Sequence, residues 1–324
     1  MNIITRTFLK QRIHEMVSPS EELLRASEEG RPIVLIDAFP LLTRVAEPDA
    51  TTALESACEV VRENAAVPAL AGVLHGHIRL GLTVDDLVKL ARTKGTVTAS
   101  RSQLPLVISA GSSAIPDGSL LMVIGELAGI RTVATTTADG VPHMQVRRRA
   151  RGQNRQGTPF SHELSRTTVT VVCSGSSAID DPRESLGVFE SYGTPVMGFR
   201  TEGLPHHFVH DTGIPVPNRV HSVQECADAM QYMWRLGFSG GMVVMNPISE
   251  AFAIPHEELL QWLTSAVIPV EPGRRGRVPL LDTLSDSNWL DLAEKSGGRS
   301  VAAERELIRA NSALAARIAV AFTV

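Results

Sequence analysis

The sequence predicts a layered α/β domain, because short apolar runs alternate with segments of helical periodicity along most of its 324 residues. The β-branched run at 167–173 is the clearest predicted strand, and a shorter one at 33–36 ends at Asp37. Capping-box patterns at 52–55 and 222–225 each precede residues at helical spacing, as the starts of helices do. Strands that alternate with helices are typical of a layered α/β domain.

We expect one domain over residues 30–324, preceded by an arm and a short helix over 1–29, because no linker or internal repeat divides the chain. Two apolar runs, at 67–74 and 78–82, flank a His-Gly-His turn and predict a hairpin.

Residues 139–158 break this alternation and predict a long loop insertion. The segment has little hydrophobic periodicity and carries Arg147, Arg148, Arg149, Arg151 and Arg155. Two interpretations stay open. The guanidinium groups could bind a phosphate or carboxylate through their forked donors, or the loop could be a solvated excursion without a ligand.

Composition excludes several classes of protein. The hydrophobic share of 43% and the charged share of 20% are ordinary for a globular protein, and a net charge of −4 gives no reason to expect a nucleic-acid or membrane partner. Three cysteines without a close pair fit a reducing compartment better than a disulfide framework. The sequence has no run of about 18 apolar residues and no signal-peptide pattern. We therefore expect a cytoplasmic protein.

Seven stretches in a single register resemble the pseudouridine-5′-phosphate glycosidase family, which includes the indigoidine-synthase-A-like proteins. Together they cover roughly residues 30–320. Each is weakly specific alone, whereas seven in order identify the family. The stretches read AVPAL followed by IRLGL at 66–82, SRSQLP at 100–105, ELAGIRTVATT at 126–136, VTVVCSG at 169–175, GTPVMGFRTEGLP at 193–205, LGFSGGMVVMNPISEAFAIP at 236–255 and SGGRS at 296–300.

The resemblance implies a three-layer α/β/α domain with a central mixed sheet, which assembles as a homotrimer. It also implies an activity that cleaves or forms a C–C bond between C1 of ribose 5-phosphate and a base or aromatic ring. The family reaction uses a lysine that forms a Schiff base with the opened sugar, a glutamate proton donor and a divalent metal, usually manganese. The amine condenses with C1 and provides the electron sink that lets an inert C–C bond break.

Most of the family's chemical groups are replaced in this chain. Asp37 stands at the position of the glutamate, so a carboxylate is retained but is one methylene shorter. The resemblance places Thr98 where the family has a lysine that contacts the sugar phosphate, Ser177 at the nucleophilic lysine and Gln156 at the metal-binding aspartate. A serine has no amine nitrogen and cannot form a Schiff base. We therefore expect a reaction without lysine, metal or other cofactor.

Further positions that resemble the family's ligand contacts are expected to line a small-molecule site. They are Arg101, Thr158, Phe160, Ser176, Asn246 and Asn311. Ser176 and Ser177 belong to the turn after the strand at 167–173, which could present backbone N–H groups to an anion or could be a plain strand-to-helix turn. Asp37 and His143 are the expected proton-transfer groups. The alternative interpretation of Asp37 is a turn-capping carboxylate. Loop or packing roles are favoured for His206, His207 and His210, which lack a metal-ligand spacing.

Three functions stay open from the sequence. The first is a repurposed enzyme of specialised, natural-product metabolism that acts by acid/base and shape catalysis, for example in a cyclisation or a C–C or C–O bond rearrangement. The second is a catalytically silent homologue that serves as a binding or assembly partner, which a pocket filled by Phe160 would favour. The third is a C-glycosidase or C-glycosynthase on ribose 5-phosphate with a displaced lysine. Of the four lysines in the chain, Lys94 is the candidate for that role.

Overall fold

The structure is a computed structural model and describes residues 16–138, 158–178, 180–266 and 286–323. The strands of these residues, numbered in chain order, are β1 (Val17–Pro19), β2 (Ile33–Ile36), β3 (Val67–Ala69), β4 (Ala71–Leu74), β5 (His77–Leu80), β6 (Val97–Ala99), β7 (Ala114–Pro116), β8 (Thr132–Ala134), β9 (Thr170–Cys173), β10 (Val196–Phe199), β11 (Asn218–Val220) and β12 (Met242–Met245). No helix within the described ranges combines the length and the apolar character needed to cross a membrane.

The helices of the described residues are α1 (Glu21–Glu28), α2 (Phe39–Arg44), α3 (Asp49–Glu63), α4 (Val84–Arg92), α5 (Leu104–Ser109), α6 (Gly118–Ala128), α7 (Pro159–Leu164), α8 (Pro182–Ser191), α9 (Val223–Arg235), α10 (His256–Ala266), α11 (Asp286–Lys295) and α12 (Arg299–Thr323).

Seven strands form a sheet in the order β11-β10-β12-β9-β8-β2-β3, and every neighbouring pair is parallel. Successive side chains of a strand point to opposite faces of the sheet. On β2, Val34 and Ile36 therefore pack in a core with Leu54 of α3 and Ile308 of α12, whereas Leu35 packs in a second core that contains residues of α6. Helices cover both faces, which makes the three layers.

Five strands form a second sheet in the order β1-β5-β4-β7-β6. Strands β4 and β5 pair antiparallel, with Ala71 opposite Leu80, across the His75-Gly76 turn. The predicted hairpin is thus confirmed. The predicted fold class, a three-layer α/β/α domain, is confirmed as well. The mixed strand pairing lies in the five-stranded sheet, whereas the seven-stranded sheet between the helix layers is parallel. The structure adds that β1 pairs with β5, so part of the expected N-terminal arm is a sheet edge.

One of the two capping-box predictions is wrong about where its helix begins. Helix α3 starts at Asp49, one turn before the pattern at 52–55, and the Thr52 hydroxyl donates back to the Pro48 carbonyl instead of capping. Pro48 is tolerated at the start of this helix, because an N–H group at that position would have no hydrogen-bond partner within the helix. The pattern at 222–225 is confirmed, since Ser222 Oγ accepts from the Glu225 amide at 3.2 Å.

The carboxyl ends of parallel strands meet at one edge of a sheet, which is where α/β proteins place their ligand sites. In this sheet Asp37 follows β2, Thr135 follows β8, Ser174 follows β9 and Asn246 follows β12. Gly175 continues the turn after β9 with a φ of +83°, and its backbone lies directly against the chain at Pro205.

We expect Gly175→Ala to destabilise the fold by about 3 kcal/mol or more, as the sum of left-handed strain and overpacking. A Cβ at this position would lie 2.0 Å from the Pro205 carbonyl oxygen, so one backbone segment must move. The matched control is Gly193→Ala, which has a φ of +67° and nothing within 4 Å of its added Cβ. It should lose about 1 kcal/mol from strain alone. Urea unfolding of both variants measures the difference, and equal losses would contradict the close approach.

Candidate functional site

The polar residues at the carboxyl edge of the seven-stranded sheet are tied together by one side chain of helix α12. Asn311 is fully buried and donates through Nδ2 to the Thr135 carbonyl at 2.8 Å. Its Oδ1 accepts from Nδ2 of Asn246 at 3.0 Å. Ser174 Oγ donates to the Asn246 carbonyl at 2.6 Å. The structure thus brings together two of the predicted site residues, Asn246 and Asn311, and adds Thr135, which sequence reasoning missed.

Asp37 lies at the same edge and is 4% exposed. Its Oδ1 accepts from the Phe39 amide at 3.1 Å, and its Oδ2 accepts from the Thr135 hydroxyl at 3.0 Å. Burial raises the pKa of the carboxyl to about 6, although these two hydrogen bonds and the Arg44 charge oppose the rise. The neighbouring Asp117 carboxylate adds to it. A carboxyl in this range exchanges its proton near neutral pH.

Asp117 and Gly118 directly follow β7 of the five-stranded sheet, and Gly118 packs against Asp37. Asp117 caps α6, accepting from the Leu120 amide at 2.9 Å and from the Ser119 hydroxyl at 2.6 Å, and burial raises the pKa of its carboxyl. A Cβ at Gly118 would lie 3.1 Å from Asp37 Oδ2 and 3.2 Å from the ring of Phe160. Phe160 is 1% exposed. The predicted residues Asp37 and Phe160 therefore pack against the same point of the backbone.

The structure also describes three further predicted residues, Thr98, Arg101 and Thr158. The Asp117 amide donates to the carbonyl of Ala99, which directly follows Thr98 in β6. Arg101 Nη1 binds Glu163 Oε2 at 2.7 Å. The Thr158 hydroxyl accepts from the Ser161 amide at 3.0 Å and caps α7. Arg101 and Thr158 thus both have partners within the protein.

The turn after β9 holds Ser176 and Ser177, both of which are buried. Among the described residues, Ser176 Oγ has no hydrogen-bond partner. His206 Nε2 binds the Ser177 carbonyl at 2.7 Å, and the His207 amide donates to the Ser174 carbonyl at 2.7 Å. Burial lowers the pKa of His206 to about 4. Sequence reasoning favoured packing roles for these histidines, and nothing in their spacing signals that they lie against this turn.

A buried charged cluster, which we call the Arg44 cluster, consists of Arg44, Glu304 and His207. Glu304 Oε1 binds Arg44 Nη1 at 3.3 Å and His207 Nε2 at 2.9 Å. Arg44 also donates to the hydroxyls of Thr136 and Thr137, each at 3.4 Å. Sequence reasoning missed the cluster. The one signal for it was a glutamate on the buried face of a helix, between the buried residues Ala303 and Leu307.

The described lysines offer no buried amine at this edge. Lys89, Lys94 and Lys295 are all exposed. Lys94 precedes β6, whereas Asp117 binds the opposite end of that strand. Lys10 lies outside the described residues, as do the predicted site residues His143 and Gln156 and the arginine-rich segment from 139 to 157.

The resemblance places the family's metal ligand at Gln156, which lies outside the described residues. No group of three or more His, Cys, Asp or Glu side chains in these residues could hold an ion. Two carboxylates near this sheet edge have partners within the protein: Asp37 binds the Thr135 hydroxyl and Glu163 binds Arg101.

An α/β fold with polar groups gathered at the carboxyl edge of a parallel sheet is typical of ligand-binding α/β proteins. Comparison with known proteins gives the family. The model of the indigoidine synthase A like protein family matches residues 22–321, and the chain belongs to that family.

Known relatives and solved structures cover nearly the whole chain. It is 32% identical to a pseudouridine-5′-phosphate glycosidase of Caldanaerobacter subterraneus, over 95% of this chain and 97% of that protein. It is 33% identical to another of Methylobacterium nodulans, over 95% and 88%. An indigoidine synthase A-like protein from Thermotoga maritima has the same fold, with a TM-score of 0.80, 24% identity and coverage of 95% and 97%. The prealnumycin C-glycosynthase AlnA, solved in complex with ribulose 5-phosphate, has a TM-score of 0.79, 26% identity and the same coverage.

We expect Asp37→Asn to change how stability depends on pH. Because folding raises the pKa of Asp37 from 3.8 to about 6, the native state binds this proton more tightly than the unfolded chain does. The wild type should therefore lose about 2 kcal/mol between pH 4 and pH 7, relative to the Asn variant, which has no such proton. Urea unfolding across this pH range measures the difference.

The control is Thr135→Val, which keeps Asp37 but removes a hydrogen bond that lowers its pKa. In that variant the loss of stability should extend to higher pH. If the free energies of unfolding of the wild type and of Asp37→Asn changed with pH in parallel, folding would not raise the pKa of Asp37.

Proposed function

We propose that this chain is an enzyme of specialised metabolism that binds a small organic substrate of the sugar-phosphate class and transfers a proton through Asp37, without a covalent lysine intermediate. One observation carries the proposal: a buried carboxyl with a pKa of about 6 is retained at the carboxyl end of β2. The glycosidase relatives support the substrate class, as does the AlnA complex with ribulose 5-phosphate.

The contacts of Asp37 suit a group that alternates between two protonation states. Its Oδ1 is held by a backbone amide, which fixes the orientation of the carboxyl. Its Oδ2 is held by the Thr135 hydroxyl, which also lies 3.3 Å from the Thr137 carbonyl. A rotation of the hydroxyl towards that carbonyl releases Oδ2 to give a proton to a substrate atom or to accept one. The second proton-transfer group of the proposal, His143, lies outside the described residues.

Hydroxyl groups replace covalent capture in this proposal. Leaving a buried hydroxyl unpaired costs about 1–3 kcal/mol, so a ligand that bonds to Ser176 Oγ recovers that free energy on binding. Ser177 stands at the family's lysine position and orients the substrate without forming a bond to it. Asn311 and Asn246 bind each other and hold the strand ends that carry these groups.

We expect borohydride treatment in the presence of ribose 5-phosphate to leave all four lysines unmodified. The described lysines are exposed and Ser177 has no amine, so no carbonyl carbon is captured as a reducible imine at this edge. Mass spectrometry of a digest locates any adduct. A family member that retains the lysine, treated in parallel, is the positive control. A stoichiometric adduct on Lys10 or Lys94 would restore the lysine-dependent glycosidase.

One observation favours a second candidate function, a catalytically silent homologue that acts as a binding or assembly partner. Phe160 fills the space beside Gly118, next to Asp37 Oδ2. In this candidate the ring occupies the position of a substrate, and the expected homotrimer is the functional unit. The buried carboxyl then remains as a turn cap for α2, bound to the Phe39 amide.

Ligand binding decides between the two candidates. For the enzyme, we expect ribose 5-phosphate, ribulose 5-phosphate or pseudouridine 5′-phosphate to bind in calorimetry with a dissociation constant of millimolar or tighter. Phe160→Trp should weaken binding at least tenfold, because the larger ring extends towards Asp37. Phe189→Trp, at another buried phenylalanine in the same core, is the control for overpacking. No binding by wild type or by Phe160→Ala would favour the silent homologue.

A further inference from the structure

The Arg44 cluster and Asp37 are connected through helix α2. Asp37 Oδ1 accepts from the Phe39 amide at the first residue of this six-residue helix, and Arg44 is its last residue. The carboxyl and the guanidinium group therefore lie at opposite ends of one helix of fewer than two turns. A shift of Arg44 moves the amide that orients Asp37.

A second connection runs through residues 135–137. The Thr135 hydroxyl donates to Asp37 Oδ2 at 3.0 Å. The next two residues, Thr136 and Thr137, accept from Nη1 and Nη2 of Arg44 at 3.4 Å each. Both oxygens of the Asp37 carboxyl are thus held by elements that Arg44 contacts.

The contacts and burial of the Arg44 cluster indicate the protonation states of His207 and Glu304. The Ala178 amide donates to His207 Nδ1 at 3.3 Å, so the proton of the neutral ring lies on Nε2 and is donated to Glu304. Burial lowers the pKa of His207 and keeps the ring neutral. Burial alone would raise the pKa of Glu304, but His207 and Arg44 hold it below its usual value. Glu304 is therefore a carboxylate that pairs with the Arg44 cation.

Stability alone does not explain this arrangement. The side chains of Arg44 and Glu304 are 7% and 2% exposed. Replacing a buried ion pair by apolar residues of similar volume is often neutral or stabilising by about 1–4 kcal/mol. His207 also has a φ of +51°, a conformation that costs an L-residue about 1–2 kcal/mol. The fold keeps an expensive cluster beside a carboxyl whose orientation matters for proton transfer.

We propose that Arg44, paired with Glu304, is a positioning residue that holds helix α2 and residues 135–137 and so fixes the Asp37 carboxyl. This role rests on the proposed function, since it serves proton transfer by Asp37. Two charged groups face Asp37 from the elements around it: Arg44 lowers its pKa and Asp117 raises it. Removing Arg44 leaves Asp117 unopposed and loosens the Thr135 hydrogen bond, and both changes favour the protonated carboxyl.

The test is a carbon-13 NMR titration of the Asp37 carboxyl, which needs no substrate. In the double variant Arg44→Met, Glu304→Gln, no buried charge is left unpaired, and the titration midpoint should rise by about 1 pH unit. The matched control is Arg309→Met, Glu306→Gln, the same exchange at a neighbouring pair on α12 whose arginine is about half exposed. The control should leave the midpoint unchanged.

A folded double variant with an unchanged midpoint would overturn the proposal, because a purely structural cluster alters the melting temperature but not the titration. If the double variant does not fold, Arg44→Lys takes its place. It keeps the charge but loses the forked contact with Thr136 and Thr137, and an unchanged midpoint there has the same meaning. A raised midpoint in a protein that binds no sugar phosphate would sustain the positioning role and reject the proposed function.

Discussion

The buried amide of Asn311 is the contact on which the arrangement of the site depends. It joins helix α12 to the carbonyl of Thr135 after β8 and to the side chain of Asn246 after β12, and Ser174 after β9 completes the link. Parallel strands end at this edge with unpaired backbone groups, which must find partners when they are buried. A side chain that is both donor and acceptor meets that need and fixes the strand ends relative to one another.

The electrostatics of the carboxyl edge of the seven-stranded sheet follow from the burial of its acidic side chains. Asp37, Asp117 and Glu304 are all nearly inaccessible to water, yet their environments differ. Glu304 binds a cation and a histidine N–H and remains ionised. Burial raises the pKa of Asp37, because its neutral hydrogen-bond donors and the Arg44 charge only partly oppose that effect. Carboxyls whose environments push their pKa values apart are suited to different tasks. In our proposals, Glu304 pairs with Arg44, which positions Asp37, and Asp37 transfers the proton.

Short-range patterns predicted most of the fold. The β-branched run that became β9, the hairpin of β4 and β5, and the cap at Ser222 depend on residues close together in the chain. The start of α3 was missed because Pro48 offers a helix start one turn ahead of the pattern. The family resemblance, which the comparisons confirm, gave the layers and the positions of Asp37, Asn246 and Asn311. The resemblance could not predict which atoms of these residues are in contact, since the contacts join residues 65 to 176 positions apart in the chain.

The sequence by itself determined that residue 177 is a serine without an amine nitrogen, because the identity of a side chain sets its covalent chemistry wherever it lies. It also determined that a carboxylate ends the first buried strand of the parallel sheet. Only the tertiary structure decided the environment of that carboxylate: the Thr135 hydroxyl, the Phe160 ring and the charge of Arg44. Burial and charge at a given atom are properties of chain segments packed together, and no pattern of neighbouring residues encodes them.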